Sequence, residues 1–392
     1  MQFALPKKLD LPLTLIAVAL VALGIVMVSS VSFDVMAYYQ SDPLYNFVRH
    51  LFYLLISLIG ILVVLYIPIN LWHRFTWYLL GISFILLALV FVPGIGKTTN
   101  GATRWINLVV FNFQPSEIAK IFGMVFLAGY LVRRQGEVRE NFIGFLKPFV
   151  MLVPMAFLFM AEPDFGSTVV LMGASLILLF LGGVNVNNFF VLVILGVLCV
   201  IGLVYAKPYR IVRITGFIDP FADEFGSGFQ LVQSLIAFGR GGVFGVGLGN
   251  STQKQFYLPE ATTDFVFAIL AEELGLIGAL CCVLLFCALC VRAIQIGVKA
   301  ELAGQLFAAY FAYGLALLWL GQFLISVGVN IGILPTKGLT LPFISYGGSS
   351  LVVCFIMVGI LLRIDWETRY IKELVANEEQ QSSSAKQNEV CL

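Results

Sequence analysis

The chain has 392 residues, 60% of them hydrophobic and 11% charged, with a formal net charge of +1. A soluble domain carries about 25% charged residues, so most of this chain has no water-facing surface to cover. A net charge this close to zero gives no footing for nucleic-acid binding.

Apolar runs close to the length that crosses a bilayer recur along the whole chain. The first, 12–32, follows Lys7 and Lys8 and is followed by no small-residue cleavage site, so it reads as a retained helix rather than a signal peptide. Further runs at 47–69, 76–92, 115–132, 148–161, 166–182, 189–206, 265–291, 303–329 and 345–362 bring the total to ten. The fold expected is all-α and polytopic, one membrane domain over 1–376, with a large extracytoplasmic loop at about 207–263 between the seventh and eighth helices. The remainder, 377–392, is Glu, Gln, Ser and Lys, a composition that buries no core and predicts a disordered tail.

Ten crossings put both termini on one side. Thirteen of the 23 basic residues fall on that side and nine on the other, with Lys120 inside a span. The excess places the termini in the cytoplasm. It is modest because the outer loops are themselves basic, and such loops suit the holding of an anionic group. The seven cysteines form no disulfide framework: six lie in apolar runs, and Cys287-Ala-Leu-Cys290 sits mid-helix.

Chemistry-bearing residues gather around the loops. The large loop carries Lys207, Arg210, Arg213, Arg240 and Lys254 and ends in Tyr257-Leu-Pro-Glu-Ala-Thr-Thr-Asp264-Phe, where the chain re-enters apolar sequence. Asp264 there suits a general base, and Thr262, Thr263 or Asp264 equally suits a helix N-cap. Glu272 and Glu273 lie two turns further on, where a carboxylate faces a cavity or a basic partner. Glu117 and Lys120, spaced i,i+3, either neutralise each other or turn Lys120 towards substrate. Lys97 and Arg104-Trp105 precede them in a shorter outer loop. Arginine beside tryptophan fits a headgroup anchor, and its fork also fits diphosphate.

Six glycines between Gly239 and Gly249 lack the preceding strand of a nucleotide site and fit close-packed or re-entrant backbone. Ser345-Tyr-Gly-Gly-Ser-Ser350 suits close helix packing or anion donation. With only His50 and His73, neither a serine-hydrolase triad nor a structural zinc site is in prospect.

Several of these stretches together resemble the FtsW/RodA (SEDS) family of bacterial peptidoglycan polymerases. They are Thr103-Arg-Trp-Ile106, Gln114-Pro-Ser-Glu117 with Lys120, Glu162-Pro-Asp-Phe-Gly166, Tyr257-Leu-Pro-Glu260 with Thr263-Asp-Phe265, Ala271-Glu-Glu-Leu-Gly275, and Leu334-Pro-Thr-Lys-Gly through Ser345-Tyr-Gly-Gly-Ser-Ser350. They span nearly the whole chain in family order, and Gly249-Asn-Ser with Gln253-Lys254 resembles the division branch, FtsW, more than the elongation branch, RodA. Thr262 departs from the histidine many relatives carry.

The resemblance implies a glycosyltransferase that polymerises lipid II at the outer face of the cytoplasmic membrane during septal wall synthesis. Asp264 matches the family's essential aspartate. Arg104, Lys97, Lys120, Glu117, Arg210, Arg213, Lys337 and Glu272 are the expected substrate contacts. No cofactor is certain, and a divalent cation, magnesium or manganese, is admitted beside the diphosphate. The expected partners are lipid II, a class B penicillin-binding protein of the FtsI-like transpeptidase type, and other divisome membrane proteins. A lipid II flippase and a non-catalytic scaffold are the competing readings. The first predicts a polar path through the bilayer, the second indifference to loss of Asp264.

Overall fold

The computed structural model describes residues 8–38, 45–99, 102–107, 112–205, 208–335 and 338–390. Lys337, a candidate above, lies outside them.

The helices are α1 (Leu11–Tyr38), α2 (Tyr45–Tyr66), α3 (Ile69–Arg74), α4 (Thr76–Leu89), α5 (Pro115–Arg133), α6 (Gln135–Glu140), α7 (Phe142–Leu146), α8 (Phe149–Ala161), α9 (Phe165–Leu181), α10 (Val186–Tyr205), α11 (Pro208–Ile218), α12 (Phe229–Gly241), α13 (Val266–Leu302), α14 (Leu306–Asn330) and α15 (Gly348–Val390). Among the described residues, eight helices are long and apolar enough to cross a membrane, and the shorter apolar α4 and α9 complete the ten expected segments. The chain is a polytopic helical membrane protein.

Burial sorts these helices. α5 and α14 are packed on nearly all sides and form the centre, where the small residues Ala119, Ala128, Gly129, Ala309, Ala312 and Gly314 bring helices close. α10 buries none of its described side chains and turns its apolar residues outward, as a lipid-facing helix does. α15 runs on through Val390, past the point where composition predicts disorder. Glu, Gln, Ala and Lys there are good helix formers without apolar periodicity, so local propensity explains the difference.

At one end of the bundle Arg369 donates to Lys8 O and Arg292 pairs with Asp10, and at the other lie the large loop and a small sheet. Strands β1 (Gly96–Thr99), β2 (Ala102–Asn107) and β3 (Asn112–Phe113) pair antiparallel in that order, with Lys97 opposite Trp105 and Ile106 opposite Phe113. The large loop is itself partly helical, containing α11, α12 and a π-helical turn at Gln253–Tyr257.

α13 is interrupted. At Gly275 the backbone adopts φ +67° and ψ −167°, a conformation for which glycine is suited. The break removes the helical bonds from the Leu276 and Ile277 amides to the Glu272 and Glu273 carbonyls. The large loop supplies both halves of the replacement. Val246 and Gly247 donate their amides to Glu272 O and Glu273 O at 3.0 and 3.1 Å, and Leu276 and Ile277 donate to Gly242 O and Val243 O at 2.9 and 3.3 Å. The four backbone groups freed by the break are thus all paired, the condition under which irregular backbone is tolerated within a membrane protein. The fit requires glycine on both sides: a Cβ at Gly245 would lie 2.2 Å from Glu273 O, and one at Gly275 would lie 2.3 Å from Gly245 N. The glycine-rich stretch is thus close-packed backbone, and α13 is a half-helix, 266–274, set on a longer one.

Candidate active site around Asp264

A cavity of about 620 Å³ opens at the loop end, within the range of small-molecule sites. Its walls come from seven parts of the chain: Arg49 and Tyr53 on α2, Arg104 and Trp105 on β2, Gln114 and Glu117 at the start of α5, Asp164 before α9, Gln230 on α12, Glu260 with Thr263 to Phe265 before α13, and Gly338 to Thr340 with Tyr346 to Ser350 before and into α15. No two of these parts are adjacent in sequence. The bundle assembles them.

Asp264 is held by its backbone and presents its side chain to the cavity. Its amide donates to Glu260 O at 3.1 Å, and Asn330 Nδ2 at the end of α14 donates to its carbonyl at 2.9 Å. Asn330 Oδ1 also accepts the Ala268 amide at 3.0 Å. The helix-capping alternative for Asp264 is corrected here. The N-cap position is Phe265, which makes no side-chain cap bond, and buried Asn330 serves the first turn from another helix. The two residues before Asp264 are pinned by the segment leading into α15: Tyr346 donates its amide to Thr262 O at 2.9 Å, and Ser345 Oγ donates to Thr263 O. A Cβ at Gly338 would come within 2.9 Å of Asp264 Oδ2, so glycine there leaves the carboxylate its room.

Arg104 is the second expected residue in the walls. Its Nε donates to Glu162 O at 3.0 Å and its Nη2 to Pro163 O, so the guanidinium bridges the sheet and the α8–α9 turn. A guanidinium has five N–H donors, and this turn uses two. Glu117 lines the floor with its carboxylate 2.8 Å from Lys120 Nζ, both buried. Lys120 therefore lies behind Glu117 and is not itself in the lining.

Of the other expected contacts, Lys97 and Glu272 lie apart from this group. Lys97 is exposed on β1 and outside the cavity walls. Arg210 and Arg213 lie in α11, their side chains outside the described residues. Glu272 is fully buried and turned towards the loop: Ser251 Oγ donates to it, the Thr252 and Gln253 amides donate at 3.1 and 3.3 Å, and Arg240 lies 3.6 Å away. Glu272, expected among the substrate contacts, therefore lies outside the cavity walls and is engaged by the loop. Carboxylates accept readily from backbone amides, and the adjoining loop satisfied this one first.

Residues outside the expected set also reach the cavity. Arg49 enters from α2. Asp164 caps α9 by accepting the Ser167 amide at 3.1 Å and also accepts from Ser116 Oγ at 2.9 Å. Ser349 accepts the Gln114 amide and donates to Asn112 O, both at 2.9 Å. Asp164 had a signal, since it stands in one of the family-like stretches. Arg49 had none beyond its charge. Beside Asp164, Glu162 is fully buried. Burial pushes its carboxyl up to about 9, with Asp164 adding to the rise and Arg104 opposing it, so it carries its proton at neutral pH.

Among the described residues, no group of three or more His, Cys, Asp or Glu side chains converges as a protein-built metal site needs.

The family model for FtsW/RodA/SpoVE cell cycle proteins matches residues 11–370. The chain belongs to that family. It is 58% identical over 361 residues to a probable peptidoglycan glycosyltransferase FtsW of Pseudomonas fluorescens (strain SBW25), covering 92% of this chain and 89% of that one. A counterpart of the same description from Coxiella burnetii (strain RSA 493 / Nine Mile phase I) is 50% identical over 360 residues, covering 92% and 96%. Among solved structures, a chain from work on the structural coordination of polymerization and crosslinking by a peptidoglycan synthase complex superposes with a TM-score of 0.76 at 28% identity, covering 92% of this chain and 99% of that one. The rod shape determining protein RodA of Thermus thermophilus superposes at 0.68 and 26% identity, covering 92% and 97%. Both solved chains share this helical architecture over 92% of the present one.

Proposed function

We propose that the chain is a peptidoglycan glycosyltransferase of cell division that polymerises lipid II. The observation that carries this is the position of Asp264: a carboxylate in the walls of an open cavity, with Arg49 and Arg104 in the same walls, in a chain 58% identical to a probable peptidoglycan glycosyltransferase. The loop end is read as the outer face of the cytoplasmic membrane, and the termini as cytoplasmic.

The chemistry follows from the groups present. The 4-hydroxyl of the acceptor lipid II attacks the anomeric carbon of the growing glycan, forming a C–O bond as the bond to the undecaprenyl diphosphate oxygen breaks. Asp264 takes the hydroxyl proton, a contribution typically of about 10²–10⁴-fold. Arg104 and Arg49 offset the charge that gathers on the departing diphosphate. Attack opposite the leaving group turns an α-linked donor into a β-linked strand. The lipid tails stay against the apolar bundle while the sugars react at its end, which accounts for an enzyme that is almost all membrane.

Polar residues that a transport path would need are otherwise engaged. Glu117 and Lys120 neutralise each other, and Glu272 and Glu273 hold the loop. The solved neighbour from a peptidoglycan synthase complex supports a partnership with a penicillin-binding protein, which we take to be a class B transpeptidase at the septum.

The test supplies labelled lipid II to purified protein and its transpeptidase partner in liposomes, and reads glycan strands on a gel for the parent, Asp264→Ala and Asp264→Asn. Polymer from the parent alone is expected. Equal polymer from all three removes Asp264 from the chemistry. No polymer from any, with lipid II crossing the bilayer, replaces the polymerase by a flippase.

A further inference from the structure

Asp264 sits midway along a closed excursion of the chain, ten residues after Lys254 and nine before Glu273. The two ends of that excursion meet. Lys254 Nζ lies 2.9 Å from Glu273 Oε1, and both side chains are completely buried. Ser30 of α1 completes the contact: its hydroxyl donates to the Glu273 carboxylate, 2.7 Å from one oxygen and 2.8 Å from the other. Lys254 in turn donates to Ser30 Oγ at 3.0 Å and to Ser30 O at 3.2 Å. None of the three lies in the walls of the cavity.

We propose that Lys254, Glu273 and Ser30 form a positioning triad. It closes the base of the Lys254–Glu273 excursion against α1 and so sets the place of the Asp264 carboxylate. This rests on the polymerase reading above. None of the three is a catalytic residue, since none touches the cavity.

Three features argue for positioning over plain stability. First, a buried ion pair is a poor stabiliser: desolvating both charges costs about what their attraction returns, and apolar side chains of the same size do as well or better. What the pair supplies is one defined geometry in place of many. Second, the other ties at the base join the half-helix to the loop, and the triad is what joins them to α1. The break at Gly275 separates the half-helix 266–274 from the rest of α13, so the half-helix does not inherit its position from the long span. Third, the triad has its counterpart at the tip. Asn330, Ser345 and Tyr346 hold residues 262–264 and Ala268. With the tip tied to α14 and the approach to α15, and the base tied to α1, Asp264 is located between two fixed points. Glu272 reinforces the base by gathering 251–253 beside it.

The test uses full-length protein with its partner in liposomes and compares the parent with Lys254→Met/Glu273→Gln, which removes the pair without leaving a lone buried charge. The readouts are kcat, KM for lipid II, and the melting temperature. Displacing a reacting group by about 1 Å costs roughly 100-fold, so the double variant should lose about 10- to 100-fold in kcat, with KM and melting temperature close to the parent's. A double variant that melts like the parent and keeps its kcat overturns the triad while leaving the polymerase reading intact. So does one whose losses in kcat only follow the fraction of folded protein. If the double variant does not fold, Ser30→Ala decides the matter: it removes one hydroxyl, and kcat should fall by about threefold or more. An unchanged kcat overturns the proposal. A parent that makes no strands overturns both readings, and Asp264→Ala run alongside tells the two failures apart.

Discussion

Replacing Glu162 by glutamine isolates the effect of one buried proton. Glu162 is fully buried in the α8–α9 turn, and among the described residues neither carboxyl oxygen has a hydrogen-bond partner. Burial raises its ionisation from the ordinary 4.5 to about 9. Between those values the unfolded chain has released this proton and the folded chain keeps it. The folded state therefore binds one more proton, and its stability falls as pH rises, by about 1.4 kcal/mol per unit. From 4.5 to neutrality the accumulated penalty is on the order of 3 kcal/mol. Glutamine keeps the shape and cannot ionise, and the Arg104 bonds survive because they go to main-chain oxygens. The measurement is thermal melting of the parent and Glu162→Gln in detergent, from about pH 5 to about pH 9. The variant should gain on the parent steadily across that range. Any constant offset reads the burial of the amide itself, and the slope reads the proton. A gap that stays constant, or a parent that gains stability as pH rises, refutes a neutral Glu162.

Three further outcomes follow from the geometry. Asn330→Ala takes from the Asp264 carbonyl its Nδ2 donor and leaves the Ala268 amide with Phe265 O, at 3.0 Å, in place of two acceptors. At about 1–3 kcal/mol for an unsatisfied group, the melting temperature should drop sharply and glycan synthesis with it. Gly275→Ala meets both a left-handed backbone and a contact 2.3 Å from Gly245 N, and should cost at least ~2 kcal/mol. Limited proteolysis would then find the 242–247 segment cut faster. Arg104→Lys keeps the charge and loses the fork that spans Glu162 O and Pro163 O. It should lower kcat/KM for lipid II by about tenfold or more, and an unchanged value would make Arg104 a simple surface charge.

What the chain reveals before folding is mostly its relation to the bilayer. The run at 115–132 became Pro115–Arg133 and the run at 166–182 became Phe165–Leu181, because length and hydrophobicity are what a membrane selects. The i,i+3 spacing of Glu117 and Lys120 made a pair legible for the same local reason. The interruption of α13 was not legible in this way. It lies inside an apolar run, and a run counts side chains while the break is a matter of one backbone angle and two replaced hydrogen bonds. The three-stranded sheet was hidden too, since its strands have no more than six residues each, too few for an alternation to stand out. Arg49 and Asp264 share a cavity across more than 200 positions of sequence, a proximity that no spacing encodes.

These gaps have a common cause. A membrane span is expected to be a continuous helix with its polar groups paired within itself, and that rule makes ten segments readable from composition. The support around the site is built where the rule is suspended: at a helix broken by Gly275, at two adjacent glutamates that bind loop rather than helix, and at an asparagine that caps another helix's first turn. Each departure is compensated by a partner distant in sequence, Gly242 to Gly247 for the break, Ser251 to Lys254 for the glutamates, Ala268 for Asn330. Local rules fail at functional positions because tertiary partners meet the cost there. The half-helix 266–274 shows why such a cost is borne. A continuous span would fix Asp264 by the packing of the whole bundle, whereas a separate half-helix lets three neighbouring elements, α1, α14 and the approach to α15, set its place independently.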